Sequence, residues 1–158
     1  MIWLDFGAVT VFNKFFRISR FSAVWIGPVW VLLGISRAAS FFAPSRRLMW
    51  SHGLQQRPFL LPLLNAAHLQ KARQIRSVVA LASRYTPWEA NCFSQAGAVR
   101  FLFFVYGIPF SVFLGVRRHD VSRCLGSHIW IASDRVAVCG GRSFDIFSVV
   151  ACFYYDGR

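Results

Sequence analysis

Thr86 to Phe101 reads TPWEANCFSQAGAVRF: a Thr-Pro, a short polar passage, then a cysteine leading into apolar residues at helical spacing. Proline disfavours helical geometry in the residue before it, so Thr86-Pro87 ends whatever helix precedes and the next begins near Trp88 or Ala90. Pro87 suits a first turn, Glu89 suits the positive end of the helix dipole, and Gly107 sits where a C-cap belongs. The helix therefore extends to about Tyr106 and holds Cys92 in or near its first turn. After Gly97 its apolar residues cover nearly the whole circumference, which predicts a central buried helix.

Upstream, Ala72, Ile75, Val79 and Ala82 recur at steps of three and four while Lys71, Gln74 and Arg76 lie off that stripe. This is an amphipathic helix from Asn65, its candidate cap, to Arg84. Downstream the period changes to two. Phe110, Val112, Leu114 and Val116 alternate with Ser111, Phe113 and Gly115, as in a strand. Arg117 to Cys124 is a polar loop. In the second strand, SHIWIAS, His128, Trp130 and Ala132 share one face and Ile129 and Ile131 the other. Asp134-Arg135 makes a turn into the strand Val136 to Cys139, followed by Gly140-Gly141. Helix, helix, strand, strand, strand is an α+β order, with helices packed on a small antiparallel sheet.

The chain of 158 residues suffices for one domain with a proper core. That domain is expected over residues 60–158, preceded by an apolar, basic extension and linker over residues 1–59. Pro44, Gly53 and Pro58 mark the linker. In the extension, Lys14, Arg17 and Arg20 precede the uncharged run Phe21 to Ser36, like the start of a signal anchor. The run is short of the roughly 20 residues of a spanning helix. Arg37, Arg46 and Arg47 behind it nearly balance the charges in front, so orientation stays unassigned. One or two short helices broken near Pro28 are expected there, packed on the domain, on a partner or on a membrane surface. The uncharged run Phe101 to Val116 is cut by Gly107-Ile108-Pro109, which argues against a single span.

Eighteen Lys and Arg against six Asp and Glu give a formal charge of +12, favouring an anionic partner. No zinc-finger spacing, RNP-like run or glycine-rich phosphate loop directs that charge to nucleic acid. Cys92, Cys124, Cys139 and Cys152 contain no CxxC pair, and a metal set of Cys124, His128, Cys139 and Cys152 has irregular separations. Two disulfides would require an oxidising compartment.

A free thiol is only a few per cent thiolate at neutral pH, and helix N-terminal dipoles and a nearby imidazole raise that fraction. Cysteine at a helix start followed downstream by histidine on a strand is the layout of a nucleophile and its base. Cysteine as a small core residue and histidine as a structural one are the competing readings.

The segment YTPWEANCFSQAGAVRFLFFVYGIPFSVFLGVRRH, followed by SHIWI, resembles the transglutaminase-like leader peptidases of lasso-peptide biosynthesis, the B proteins of microcin-processing type. PW, the cysteine with the polar and small residues after it, an Arg in the helix, GIP, the GVR strand end and H-x-W carry the resemblance, over about Arg73 to Gly141. It implies a papain-like cysteine protease, cytoplasmic and bacterial, that removes the leader from a ribosomally made precursor. An ATP-dependent cyclase then uses the freed amine. Cys92 corresponds to the nucleophile and His128 to the base, and hydrolysis requires no cofactor and no metal.

Backbone N–H groups at the helix start, with Gln95 as a candidate side chain, are expected to hold the oxyanion. Trp130 is expected to pack beside the histidine. The acid that the family usually places after the histidine is missing from VAVCGG. The orienting group stays open between Asp134, Asp145 and the backbone, and a catalytically silent precursor-binding module stays open with it. The segment before Leu60 is too short and apolar for the fused leader-recognition domain of some relatives, so a separate leader-binding protein is expected as partner.

Overall fold

The structure, a computed structural model, describes residues 19–42, 54–118, 125–140 and 143–158. Lys14, Arg17, Arg46, Arg47, Pro44, Gly53 and Cys124 lie outside the described residues, and with them the proposed n-region, part of the linker and one member of the irregular metal set. The elements in chain order are helix α1 (Arg20–Phe42), strand β1 (Gln55–Gln56), helices α2 (Ala66–Ser83) and α3 (Cys92–Val105), and strands β2 (Phe110–Arg118), β3 (Leu125–Ser133) and β4 (Val136–Cys139). A short helix α4 (Ser143–Ile146) and strand β5 (Ser148–Tyr155) complete them.

Helix α2 follows its sequence pattern closely. Asn65 caps it by accepting from the His68 N–H at 2.7 Å, and Ala72, Ile75, Val79 and Ala82 are all buried. Helix α3 starts later than expected, at Cys92, because Asn91 is the capping residue and leaves Pro87 and Glu89 in the preceding loop. It is also less enclosed than its composition suggests. Ala98, Val99, Leu102 and Phe103 are buried, but Phe101 and Phe104 on the opposite side are 46% and 55% exposed.

The N-terminal region departs most from expectation. One helix runs unbroken through Pro28, where one or two short helices broken near that proline were predicted. Proline lacks the N–H that would reach the Val24 carbonyl and its ring crowds that carbonyl, but both residues lie on the solvent side, where water can serve it. Val29 and Leu33 are completely buried and join the same core as α2, α3 and the sheet. Helix α1, within the expected extension 1–59, thus packs in the same core as the elements beyond Leu60.

The antiparallel sheet has the order β1-β5-β2-β3-β4. Its helix-facing side carries Phe110, Val112, Ile129, Ile131 and Phe153 into the main core. The second side buries Phe113, Trp130, Ala132 and Cys152 under Leu61 and Phe147. Residues 60–64 strap that side: the Leu60 carbonyl accepts from the Ser111 hydroxyl at 2.6 Å, and the Pro62 carbonyl from the Asp134 N–H at 2.8 Å. Strands β1 and β5 were not anticipated from the sequence, yet β5 pairs with β2 along most of its length and fixes the position of the strand beside it.

Candidate active site

The start of α3 is organised by three side-chain contacts. The Asn91 carboxamide accepts from the Ser94 N–H at 2.9 Å, the Ser94 hydroxyl donates to the Asn91 carbonyl at 2.9 Å, and the Gln95 amide donates to the Ala90 carbonyl at 2.8 Å. These contacts leave the N–H groups of Cys92 and Phe93 without a protein acceptor among the described residues. Cys92 is the first helical residue and half-buried, so it stands at the end of α3 that presents unpaired peptide N–H groups.

Beside it on the helix-facing side is Cys139, a free and buried thiol. Burial pushes the Cys139 thiol up to about 12; a hydrogen bond from the Ile131 backbone opposes the shift, and the neighbouring Cys92 adds to it. A thiol so poised stays protonated at neutral pH. Its place was not legible in the alternation. In an uninterrupted hairpin closed by Asp134-Arg135, Cys139 would face with Trp130. A register shift between Ile131 and Ala132 instead sets Cys139 opposite Ile131, on the side of Cys92.

His128 stands at the same end of the β3–β4 pair but on the other side of the sheet. Its ring stacks on Phe147 at 4.9 Å and on Trp130 at 5.9 Å, and its Nε2 lies 3.4 Å from the Gly140 carbonyl oxygen. Cys92 and His128 thus flank the end of β4 from two sides, and among the described residues no hydrogen bond joins them. Gly115, opposite His128, makes room for this stack: a Cβ there would lie 2.7 Å from Trp130 ring carbons.

The other predicted residues are placed as follows. Trp130 is fully buried and packs beside the histidine. Gln95 staples the α3 start through Ala90, so its amide is engaged below the helix end. Asp134 occupies the β3–β4 turn with φ 52°, its carboxylate 3.4 Å from the Leu64 N–H. It stands six positions along the chain from His128, roughly 20 Å on an extended strand, and among the described residues no hydrogen bond joins the two. Asp145 is exposed on α4 and makes no hydrogen bond to His128 among the described residues. The partner that the imidazole has is the Gly140 carbonyl. Cys152 lies on the second side of the sheet and Cys139 on the first, so the irregular metal set is not gathered; among the described residues no group of three or more His, Cys, Asp or Glu converges.

An apolar groove beside α3 left no clear mark in the sequence. It has a volume of about 420 Å³ and runs between α1, α3 and the helix-facing side of the sheet. The signal was the exposed α3 stripe, hidden by the helix's apolar composition. Separately, α1 is, among the described residues, the one helix long and apolar enough to cross a membrane by length and composition.

No curated protein and no solved structure matches the chain. A sequence model of the transglutaminase-like superfamily does match, over residues 33–152, well over half of the chain. That span runs from the middle of α1 through α2, the cysteine-bearing α3, the histidine-bearing β3 and most of β5, and so takes in most of the α+β unit described above. On that match, the chain belongs to the transglutaminase-like superfamily.

Proposed function

We propose that the protein is a cysteine peptidase that removes the leader from a lasso-type precursor peptide. The observation that carries this reading is Cys92 at the first position of a capped helix, with the Cys92 and Phe93 N–H groups left over by the cap. In that reaction the Cys92 thiolate attacks the carbonyl of the last leader residue, and the two N–H groups hold the oxyanion of the tetrahedral intermediate. His128 gives a proton to the departing amine of the first core residue. Water then cleaves the thioester, releasing the leader carboxylate and restoring the thiol.

With Gly140 as its backbone partner, the imidazole needs no carboxylate to fix one tautomer, which supports a dyad. The reaction requires His128 to come round the end of β4, beside Gly140, to the Cys92 side of the sheet. Catalytic hydrogen bonds commonly tighten only when substrate is bound. No cofactor enters these steps. The partners of this reading are the precursor's leader, a separate leader-recognition protein and an ATP-dependent cyclase that takes the product.

A second reading is favoured by the placement of His128 across the sheet from Cys92: a module that binds the precursor without cutting it. Purified protein, incubated with a lasso-type precursor and its leader-recognition protein and read by mass spectrometry, separates the two. A single cut, lost in Cys92→Ala and in His128→Ala, is the expected result. Equal cleavage by Cys92→Ala overturns the nucleophile, and binding without cleavage by the parent selects the silent module.

A further inference from the structure

Of the described cysteines, Cys92 and Cys139 meet on one side of the sheet, while Cys152 lies on the other. Cys92 is half-buried against the core that encloses Cys139. Helix α3 packs directly on β4, and the register shift between Ile131 and Ala132 brings Cys139 to the α3 side. Both are free thiols, and the peptidase steps use only the first. Each also stands at an end of its element. Cys92 opens α3, and Cys139 closes β4, an edge strand of four residues followed by Gly140 at φ 86°. Any adjustment that the geometry of a disulfide asks for therefore falls on the ends of a helix and a strand, not on their middles.

We propose that Cys92 and Cys139 form a reversible disulfide on exposure to a hydroperoxide, with Cys139 as the resolving thiol for an oxidised Cys92. The bond does not rest on the peptidase reading; the loss of cleavage that follows from it does. In the first step the Cys92 sulfur attacks the distal oxygen of the hydroperoxide and the O–O bond breaks. The other oxygen leaves with the thiol proton, as an alcohol or, from hydrogen peroxide, as water, and Cys92 becomes a sulfenic acid. In the second step the Cys139 sulfur attacks the Cys92 sulfur, the S–O bond breaks, and the hydroxyl leaves with the Cys139 proton as water. The two thiols lose two electrons and the hydroperoxide takes them. Exposure sets the order, because Cys92 is half-buried and Cys139 is buried. Burial also keeps Cys139 protonated, which makes it slow towards free oxidants, whereas its place beside Cys92 favours attack there. Without such a neighbour a sulfenic acid continues to the sulfinic acid, which thiols do not restore; the disulfide stops at a stage that they do.

The test uses the full chain, reduced, freed of reductant and treated with hydrogen peroxide. Remaining thiols are trapped with N-ethylmaleimide, and the tryptic peptides are read by mass spectrometry. The expected product is a linked pair of peptides carrying Cys92 and Cys139, separated again by dithiothreitol, with Cys124 and Cys152 alkylated. Cys139→Ala should give no such pair and should raise Cys92 sulfinic acid about fivefold or more over the parent. If Cys139→Ala fails to fold, Cys139→Val, which keeps the site apolar and filled, takes its place. On a precursor that the reduced protein cuts, dithiothreitol should restore cleavage to the peroxide-treated parent and not to the Cys139 variant. Absence of the Cys92–Cys139 link from the treated parent overturns the inference, as does an equal yield of Cys92 sulfinic acid in parent and variant. The link in the parent, together with a precursor left uncut by the reduced protein, keeps the thiol pair and overturns only the peptidase.

Discussion

The indole N–H of Trp25 donates to the Tyr106 hydroxyl at 2.8 Å, joining the first half of α1 to the residue that ends α3. The two rings also meet edge to face at 5.9 Å, and the Lys71 ammonium lies 4.9 Å above the Tyr106 ring. The N-terminal helix is thereby fixed to the far end of the cysteine helix, and it forms one wall of the groove beside it.

Breaking that link should be felt as stability. Tyr106→Phe keeps the ring and removes the acceptor, leaving the Trp25 N–H partly buried and unpaired; the expected cost is about 1 to 2 kcal/mol. Urea unfolding of Tyr106→Phe, Trp25→Phe and the double variant gives the coupling directly. Strict additivity of the two single changes would show that the bond contributes nothing.

Asn91 offers a prediction with two readouts. Asn91→Ala loses the bond to the Ser94 N–H and is expected to cost about 1 kcal/mol. It should also loosen the first turn that presents Cys92, slowing alkylation of Cys92 by iodoacetamide in the folded protein. Asn91→Asp restores the cap and adds a negative charge at the helix start, so it should recover stability but not the rate. Equal alkylation rates in all three proteins would sever Cys92 reactivity from the helix start.

How far the sequence foretold this structure depends on whether local or distant residues decided each element. Asn65, Ala72, Ile75, Val79 and Ala82 declare α2 because cap and apolar period lie within one segment. The β2 and β3 alternations likewise placed Trp130 and Ile131 on their proper sides. Cys92 at the helix start was legible, although its cap, Asn91, sets the start later than Pro87 suggested. Pairing between distant strands was not: β5 borrows its definition from β2, and the shift that turns Cys139 toward Cys92 is a property of the hairpin as a whole. The path of α1 through Pro28 was hidden for the same reason. Its continuity rests on Val29 and Leu33 packing against helices far along the chain. His128 was found on the right strand and the right face, while the meaning of that face depended on which side α3 would cover.

The Cys139 thiol makes stability depend on pH with a definite sign. Its folded value, pushed up to about 12 by burial, lies above the ordinary thiol value near 8.5 in the unfolded chain. Below pH about 8.5 both states hold the proton and the contribution is fully present. As pH rises from there toward 12, the unfolded chain loses the proton first, and stability falls by about 1.4 kcal/mol per pH unit from this group. Urea unfolding of the parent and of Cys139→Ala between pH 7.5 and 10 checks it. The variant should show the shallower slope above pH 9, and identical slopes would remove burial of this thiol as the cause.

The outer side of α1 leads to a prediction about membranes. Val24, Ile35 and Phe42 are 69%, 60% and 90% exposed, and with Val31 they line one side of the helix, opposite the buried Ser22, Val29 and Leu33. We propose that this stripe rests on an anionic bilayer surface, with Arg20 at its N-terminal end and the +12 chain drawn by the surface potential. Spanning would strip Val29 and Leu33 from the core, whereas lying in the interface buries the stripe and leaves the core intact. Purified protein should therefore sediment with vesicles of phosphatidylglycerol and phosphatidylcholine and release in 0.5 M salt, since the attraction is screened within a few ångströms. Val31→Glu with Ile35→Glu should weaken that binding at least tenfold without lowering the melting temperature, because neither side chain belongs to the core. Undiminished sedimentation by the double variant would overturn the stripe as the contact, and sedimentation that resists both salt and carbonate would point to insertion with loss of the α1 packing.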